Sequence, residues 1–283
     1  MSLGLGWRKF VSGFMLTMTG ICAVVAVSAL FLILGYLVFH GGASVNWNFF
    51  TKLPVPVGET GGGMANAIVG SGKLLLLATL IGVPIGFLGA IYLAEFSGTT
   101  TAFIVRYAAD LLNGVPSIVI GIFAYSLVVL PFKHFSTLAG GCALGVMMIP
   151  ITLRSTEEFL RSVPNALREG AMALGASKWK AIATVIVPCA YRGILTAILL
   201  AFARVAGETA PLLFTALGNS FWSPGWNQPT ASLPVVIYNY AISPYEDWHR
   251  QAWAAGLVLL SLILVINIVA RGVLARGTPL SRS

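Results

Sequence analysis

Charge is what this chain has least of. Only 9% of its 283 residues are Asp, Glu, Lys or Arg, and the acids number nine. A soluble domain carries about 25% charged residues. So few charges cannot cover a water-facing surface, and most of the chain must face lipid. Cysteine is also sparse. Cys22, Cys142 and Cys189 lie in or beside apolar runs without metal-ligand spacing and read as small buried hydrophobes. No Gly- or Ser-rich linker, low-complexity tract or clear internal repeat divides the sequence. What is present is 57% hydrophobic with a net charge of +8. A positive excess suits nucleic acid, but Lys and Arg gather in a few loops. That is how membrane topology is encoded, and nucleic acid is set aside.

A spanning helix needs about 20 apolar residues. Six stretches qualify, at 11–39, 74–94, 107–131, 138–154, 187–217 and 252–271, and they predict an all-α membrane protein. The first follows Arg8 and Lys9 and far exceeds the roughly 7–15-residue core of a signal peptide, so it reads as a retained span. Six spans put both termini on one side. With the N-terminus cytoplasmic, the inside segments hold Arg8, Lys9, Arg106, Arg154, Arg161, Arg168, Lys178, Lys180, Arg192, Arg271, Arg276 and Arg282. The outside loops hold Lys52, Lys133 and Arg250, with Lys73 at the mouth of the second span and Arg204 in the fifth as the remaining two, a firm positive-inside bias. The long inside segment is 155–186. The long outside one, 218–251, carries Trp222, Trp226 and Trp248 with Pro224, Pro229, Pro234 and Pro244, a density that predicts a folded loop without long helices. Its tryptophans suit either the headgroup zone or a docking surface.

Catalytic chemistry is missing. Gly70-Ser71-Gly72-Lys73-Leu74 resembles a phosphate loop, but Ala67 stands where that loop needs Gly and Leu74 where it needs Ser or Thr. Lys73 reads as a side chain reaching to the outer interface rather than as part of a pathway. His40, His134 and His249 all fall in outside loops. Neither HExxH nor Gly-x-Ser-x-Gly occurs, and no intramembrane nucleophile–base pair is visible. The chain is expected to hold no catalytic residue, metal or cofactor of its own. Uphill movement would draw on a partner or an ion gradient.

One feature at membrane depth is expensive. Arg204 lies 12 residues past Arg192, about 18 Å along a helix. An unpaired arginine there costs at least about 2.5–3.5 kcal/mol. Glu208, at i+4, is expected to stack on the same face and offset that cost. A closed pair that only holds helices together is one reading. Since buried pairs are weak stabilisers, a role in a pathway is the other and stronger one. A guanidinium fork suits a tetrahedral oxyanion, and Glu208 would keep the site from trapping it. Gly207 and Pro211 flank the pair and are expected to loosen the helix.

The inside segment has a helix-start pattern: Ser162 as cap, Pro164 in the first turn, then Leu167, Ala171 and Leu174 at helical spacing, with Gly175 as stop. Glu169-Gly170-Ala171, Gly175 after three residues and Val185-Ile186-Val187-Pro188 after nine more resemble the EAA loop of ABC-importer permeases. Gly170 replaces an Ala of that pattern, and Val185 and Val187 replace Ile and Leu. The run Arg204-Val205-Ala206-Gly207-Glu208-Thr209-Ala210-Pro211 resembles the phosphate-importing branch of the family, as do Leu160–Glu169, Gly89–Glu95 and Leu112–Gly121.

The resemblance implies a type I (MetI-like) permease core over 64–283, preceded by a peripheral helix and outside loop over 1–63. It implies a coupling helix at about 164–180, with Arg168, Glu169, Gly170, Ala171 and Gly175 facing an ATPase. Arg204, Glu208 and Thr209 are implied to serve the substrate. The implied partners are a second permease, two copies of an ATPase that binds ATP and Mg, and an extracytoplasmic phosphate-binding protein, all at the bacterial inner membrane. Another oxyanion such as sulfate or molybdate is the nearest alternative, because one guanidinium does not tell tetrahedral anions apart. A gradient-driven carrier and a membrane sensor of phosphate are the others; the carrier would have no use for the EAA spacing.

Overall fold

The computed structural model describes residues 4–59 and 61–276. Arg282 and the side chain of Arg276, both counted toward the topology, lie outside the described residues. The regular structure among the described residues is helical. In chain order it comprises α1 (Leu5–Gly41), α2 (Trp47–Thr51), α3 (Ala65–Glu95), α4 (Thr100–Gly114) and α5 (Ser117–Ala124). A π-helical turn over Tyr125–Val129 leads to α6 (Leu130–Phe132), followed by α7 (Thr137–Arg161), α8 (Asn165–Ala173) and α9 (Lys178–Ala181). A second π-helical turn over Ile182–Ile186 opens into α10 (Val187–Ala206), followed by α11 (Ala210–Thr215), α12 (Leu233–Ala241) and α13 (Glu246–Arg276).

Five continuous stretches are long and apolar enough to cross a membrane: Gly6–Ser44, Ala65–Glu95, Thr137–Arg161, Lys178–Ala206 and Glu246–Gly272. The expected third span, 107–131, is not one helix. Its axis turns by 104° between α4 and Ser117–Phe132. The cause lies in Val115-Pro116. Val115 is extended (φ −70°, ψ 130°), as the residue before a proline prefers, and Pro116 has no N–H to continue the ladder. The fifth expected span, 187–217, also divides: it begins earlier, at Lys178, and stops at Ala206.

Glycines set the centre of the bundle. A methyl on Gly82 would lie 2.6 Å from Met148 Cβ, and one on Gly141 would lie 2.5 Å from Leu77 Cβ. Contacts advance in step along both helices, Leu77 with Gly141 and Gly82 with Met148, so α3 and α7 run parallel. Gly82-x-x-x-Gly86 and Gly141-x-x-x-Gly145 are reciprocal small-residue notches, the device by which membrane helices approach closely without a hydrophobic driving force. Two parallel neighbours require a return crossing between them. α4 does not make it. Its buried Ala102 and Ala109 pack with Leu93 and Leu153 near the ends of α3 and α7. Ser117–Phe132, about 24 Å long, therefore makes the return. Six crossings result, with α4 lying across the end of the bundle that carries α8.

α10 runs antiparallel to α7, with Phe159 pressed on Gly193 and with Leu144 and Met148 beside Ala201 and Val205. α1 is almost wholly exposed and joins the bundle at its last turn. There a methyl on Gly41 would lie 2.6 Å from the Trp253 carbonyl, and Tyr36 meets the Trp253 ring edge-on at 5.1 Å. α1 thus ends, and α13 begins, at the pole opposite α8.

Both π-helical turns stop one residue short of a proline, in Leu130-Pro131 and Val187-Pro188. A proline ring crowds the carbonyl four residues back, and a wider turn gives it room. The proline of the EAA pattern thus shapes the entry to α10.

Candidate functional site

The Gly70–Lys73 run is fully occupied in holding the far pole together. A methyl on Gly70 would lie 1.9 Å from the Ala231 carbonyl, so only glycine fits. Ser71 Oγ accepts from Leu233 N at 2.8 Å, and Lys73 Nζ donates to Ser223 O at 2.6 Å while lying 5.7 Å from the Trp226 ring centroid. Asn66 Nδ2 adds a bond to Asn219 O at 2.7 Å. Lys73 thus ties the 218–232 loop to α3. The wider 218–251 region contains α12, a nine-residue helix entered through Pro234, and its last residues, from Glu246, already belong to α13.

The Arg204–Glu208 stack does not form. α10 ends at Ala206 with Gly207 as its cap, and three non-helical residues separate it from α11. Four-residue spacing aligns side chains only within a continuous helix, so the two groups leave on different backbone segments. Among the described residues neither side chain makes an ion pair or hydrogen bond. Arg204 is exposed, while Glu208 and Thr209 are half-buried. The break is held firmly. A methyl on Gly121 of α5 would lie 2.6 Å from Pro211 Cα, and Thr215 Oγ donates to the Pro211 carbonyl at 2.7 Å. Val205, next to Arg204, belongs to the layer of Leu144, Met148, Leu74 and Ala78, well within the bundle.

α8 starts at Asn165 with Pro164 before it, where a missing N–H costs nothing. The Ser162 hydroxyl does not cap it; it donates to Phe159 O at the end of α7. Gly175 stops the helix as expected. Its φ of +86° lets Ala176 N reach Ala171 O at 3.2 Å and Gly175 N reach Met172 O at 2.9 Å, a Schellman closure. The helix expected over about 164–180 therefore covers only 165–173, because Lys178 already opens the next one. Glu169 and Gly170 are exposed and Ala171 is half-buried, while Leu174 is 90% and Trp179 66% exposed. Arg168 turns inward: its Nε donates to Glu95 Oε1 at 3.1 Å and its second Nη to Leu160 O at 3.0 Å.

The strongest charge cluster was absent from the sequence reading. Glu157, 1% exposed near the end of α7, accepts from Arg106 at 2.6 Å and from Arg154 at 2.6 Å, with Arg161 at 3.4 Å. Arg154 also pairs with Asp110 at 2.7 Å. Burying one carboxylate costs several kcal/mol, which arginine forks from two helices offset. The spacing Arg154-x-x-Glu157-x-x-x-Arg161 is a local signal for it, though basic residues beside a span also mark topology.

Residues 82–276 match the family described as "Binding-protein-dependent transport system inner membrane component". The chain is 45% identical over 266 residues to "Phosphate transport system permease protein PstA" of Haemophilus influenzae, covering 94% of each. It is 43% identical over 271 residues to the Yersinia pestis protein of the same name, covering 95% of this chain and 92% of that one. The chain belongs to this family, in its PstA branch.

Solved structures agree on the fold of this PstA-family member. A chain of a bacterial ABC transporter involved in import of the acidic polysaccharide alginate superposes with a TM-score of 0.64 at 15% identity, covering 96% of this chain and 97% of that one. A chain of the inward-facing MetNI methionine ABC transporter gives 0.60 at 18% identity, over 76% and 97%. At such identities the likeness is one of architecture: a multi-pass, MetI-type permease.

Proposed function

We propose that this chain is the permease subunit of an ATP-driven phosphate importer and forms half of the translocation pathway, with Arg204, Glu208 and Thr209 as its substrate-facing residues. The observation that carries the reading is the state of Arg204: a guanidinium at membrane depth, beside a helix break, with no ion-pair or hydrogen-bond partner among the described residues. Against lipid it would be costly. Against a second permease and a passing oxyanion it is a ready fork of donors. The relatives named phosphate permeases favour phosphate as that anion.

In this reading 64–283 is the transport unit, and 1–63 is a peripheral helix with its loop. The α8 pole is cytoplasmic, because Arg106, Arg154, Arg161, Arg168 and Lys178 gather there. Both termini then lie on the cytoplasmic side of a bacterial inner membrane. α8 seats in an ATPase through Glu169, Gly170, Ala171 and Gly175. The partners are a PstC-like permease, a PstB-like ATPase dimer that binds ATP and Mg, and a PstS-like phosphate-binding protein at the opposite pole. Closure of the ATPases would reach the pathway through α8 and switch it between inward-facing and outward-facing states. Arg204→Gln tests the site. Uptake of labelled phosphate is expected to vanish while the complex still copurifies. Wild-type uptake, or uptake blocked by excess sulfate but not by phosphate, would overturn the assignment.

A further inference from the structure

α8 is joined to the bundle in an unusual way. None of its residues is buried, so apolar packing does not hold it. A methyl on Gly170 would meet nothing within 4 Å. What holds the helix is polar and converges on one residue. Glu95, the last residue of α3 and 9% exposed, accepts from Arg168 Nε at 3.1 Å. Arg168 is itself only 17% exposed. It also donates to Leu160 O at 3.0 Å, to Val163 O at 3.5 Å and to Asn165 Oδ1 at 2.9 Å.

Beyond the far end of α8, Lys178 returns to the same place. Its Nζ donates to the Glu95 carbonyl at 3.2 Å, lies 3.9 Å from the Glu95 carboxylate, and sits 4.0 Å from the centroid of the neighbouring Phe96 ring. One cation lies within α8 and the other just beyond its end, and both hold the end of α3.

We infer that Glu95 is a positioning residue: held by Arg168 and Lys178, it carries movement of α8 into α3. The inference rests on α8 being the coupling element. It reverses the direction in which Arg168 acts, from outward onto the ATPase to inward onto the bundle. The physical ground is mechanical. α3 is locked along its length to α7 by interdigitated glycines, so displacing its end displaces the central pair. A charge-assisted fork resists both shear and separation, whereas a solvent-exposed helix face resists neither.

The test uses the assembled transporter in proteoliposomes, reading phosphate moved per ATP hydrolysed. Glu95→Gln and Arg168→Gln are each expected to lower that ratio roughly tenfold, the scale of one lost charged hydrogen bond. The double variant is expected to lose no more than either single, because both remove the same link. Glu95→Gln at the wild-type ratio would overturn the inference. So would a double loss equal to the product of the singles, which would mean that Arg168 acts on the ATPase instead. Glu169→Lys separates this from the underlying reading: if that exposed change leaves the ratio untouched, α8 is not the coupling element at all. Should Glu95→Gln fail to assemble, Lys178→Gln gives the same decision, a lowered ratio supporting the link and an unchanged one overturning it.

Discussion

Gly86 of α3 sits so close to Thr152 of α7 that a methyl on it would lie 2.8 Å from the threonine Cβ. Thr152 is fully buried, so it has nowhere to retreat. Gly86→Leu is expected to force the pair apart and lower stability by about 1–3 kcal/mol or more. Gly72→Ala, whose new methyl meets nothing within 4 Å, is the control. Thermal unfolding of the two variants in detergent would separate them, with only Gly86→Leu losing its transition temperature.

Removing the Glu157 carboxylate leaves Arg106 and Arg154 facing each other without their shared counter-charge. Glu157→Gln is therefore expected to cost about 3–5 kcal/mol, the range for breaking one partner out of a buried pair. Arg161→Gln should cost no more than about 1 kcal/mol, since Arg161 is half exposed and 3.4 Å away. Yields of folded protein after mild heating give the comparison. Equal losses would show that Glu157 is not the centre of the cluster.

Lys73→Met removes the tether between α3 and Ser223 while keeping the apolar stem. The 218–232 loop is expected to open more readily, and limited proteolysis there should accelerate several-fold. Cleavage at the wild-type rate would mean that Ser71 and Asn66 hold the loop alone.

Within the Glu-Ala-Ala triplet itself this chain departs only at Gly170, and the space around it is open. Gly170→Ala is expected to stabilise α8 by about 0.5–1 kcal/mol through reduced chain entropy, with transport retained. Amide exchange across 165–173 should slow. Faster exchange would mean that the glycine serves a backbone approach by the partner.

The spans were legible wherever apolar length alone decides, as in α3 and α13. The EAA spacing and the intramembrane arginine were legible because each is a local pattern. Three features were not. The third span reads as one apolar run, yet Pro116 turns it through 104°, and composition does not distinguish a helix lying across the bundle from one crossing it. The Arg204–Glu208 pair looked continuous because periodicity assumes a helix that Gly207 ends. The Glu157 cluster needed α4 folded back over α7 before Arg106 and Glu157, 51 residues apart, could meet.

By itself the sequence determined that this is a multi-pass, charge-poor chain, where its basic loops fall, and that it carries an EAA-type loop. Lipid solvent allows little else for such a composition. Tertiary structure alone decided the partners of the charges. It joined Glu157 to three arginines and Glu95 to two cations, and it left Arg204 without a partner among the described residues. The physical reason is that pairing at membrane depth depends on which helix ends meet, and glycine contacts and proline bends set that over distances no local pattern records.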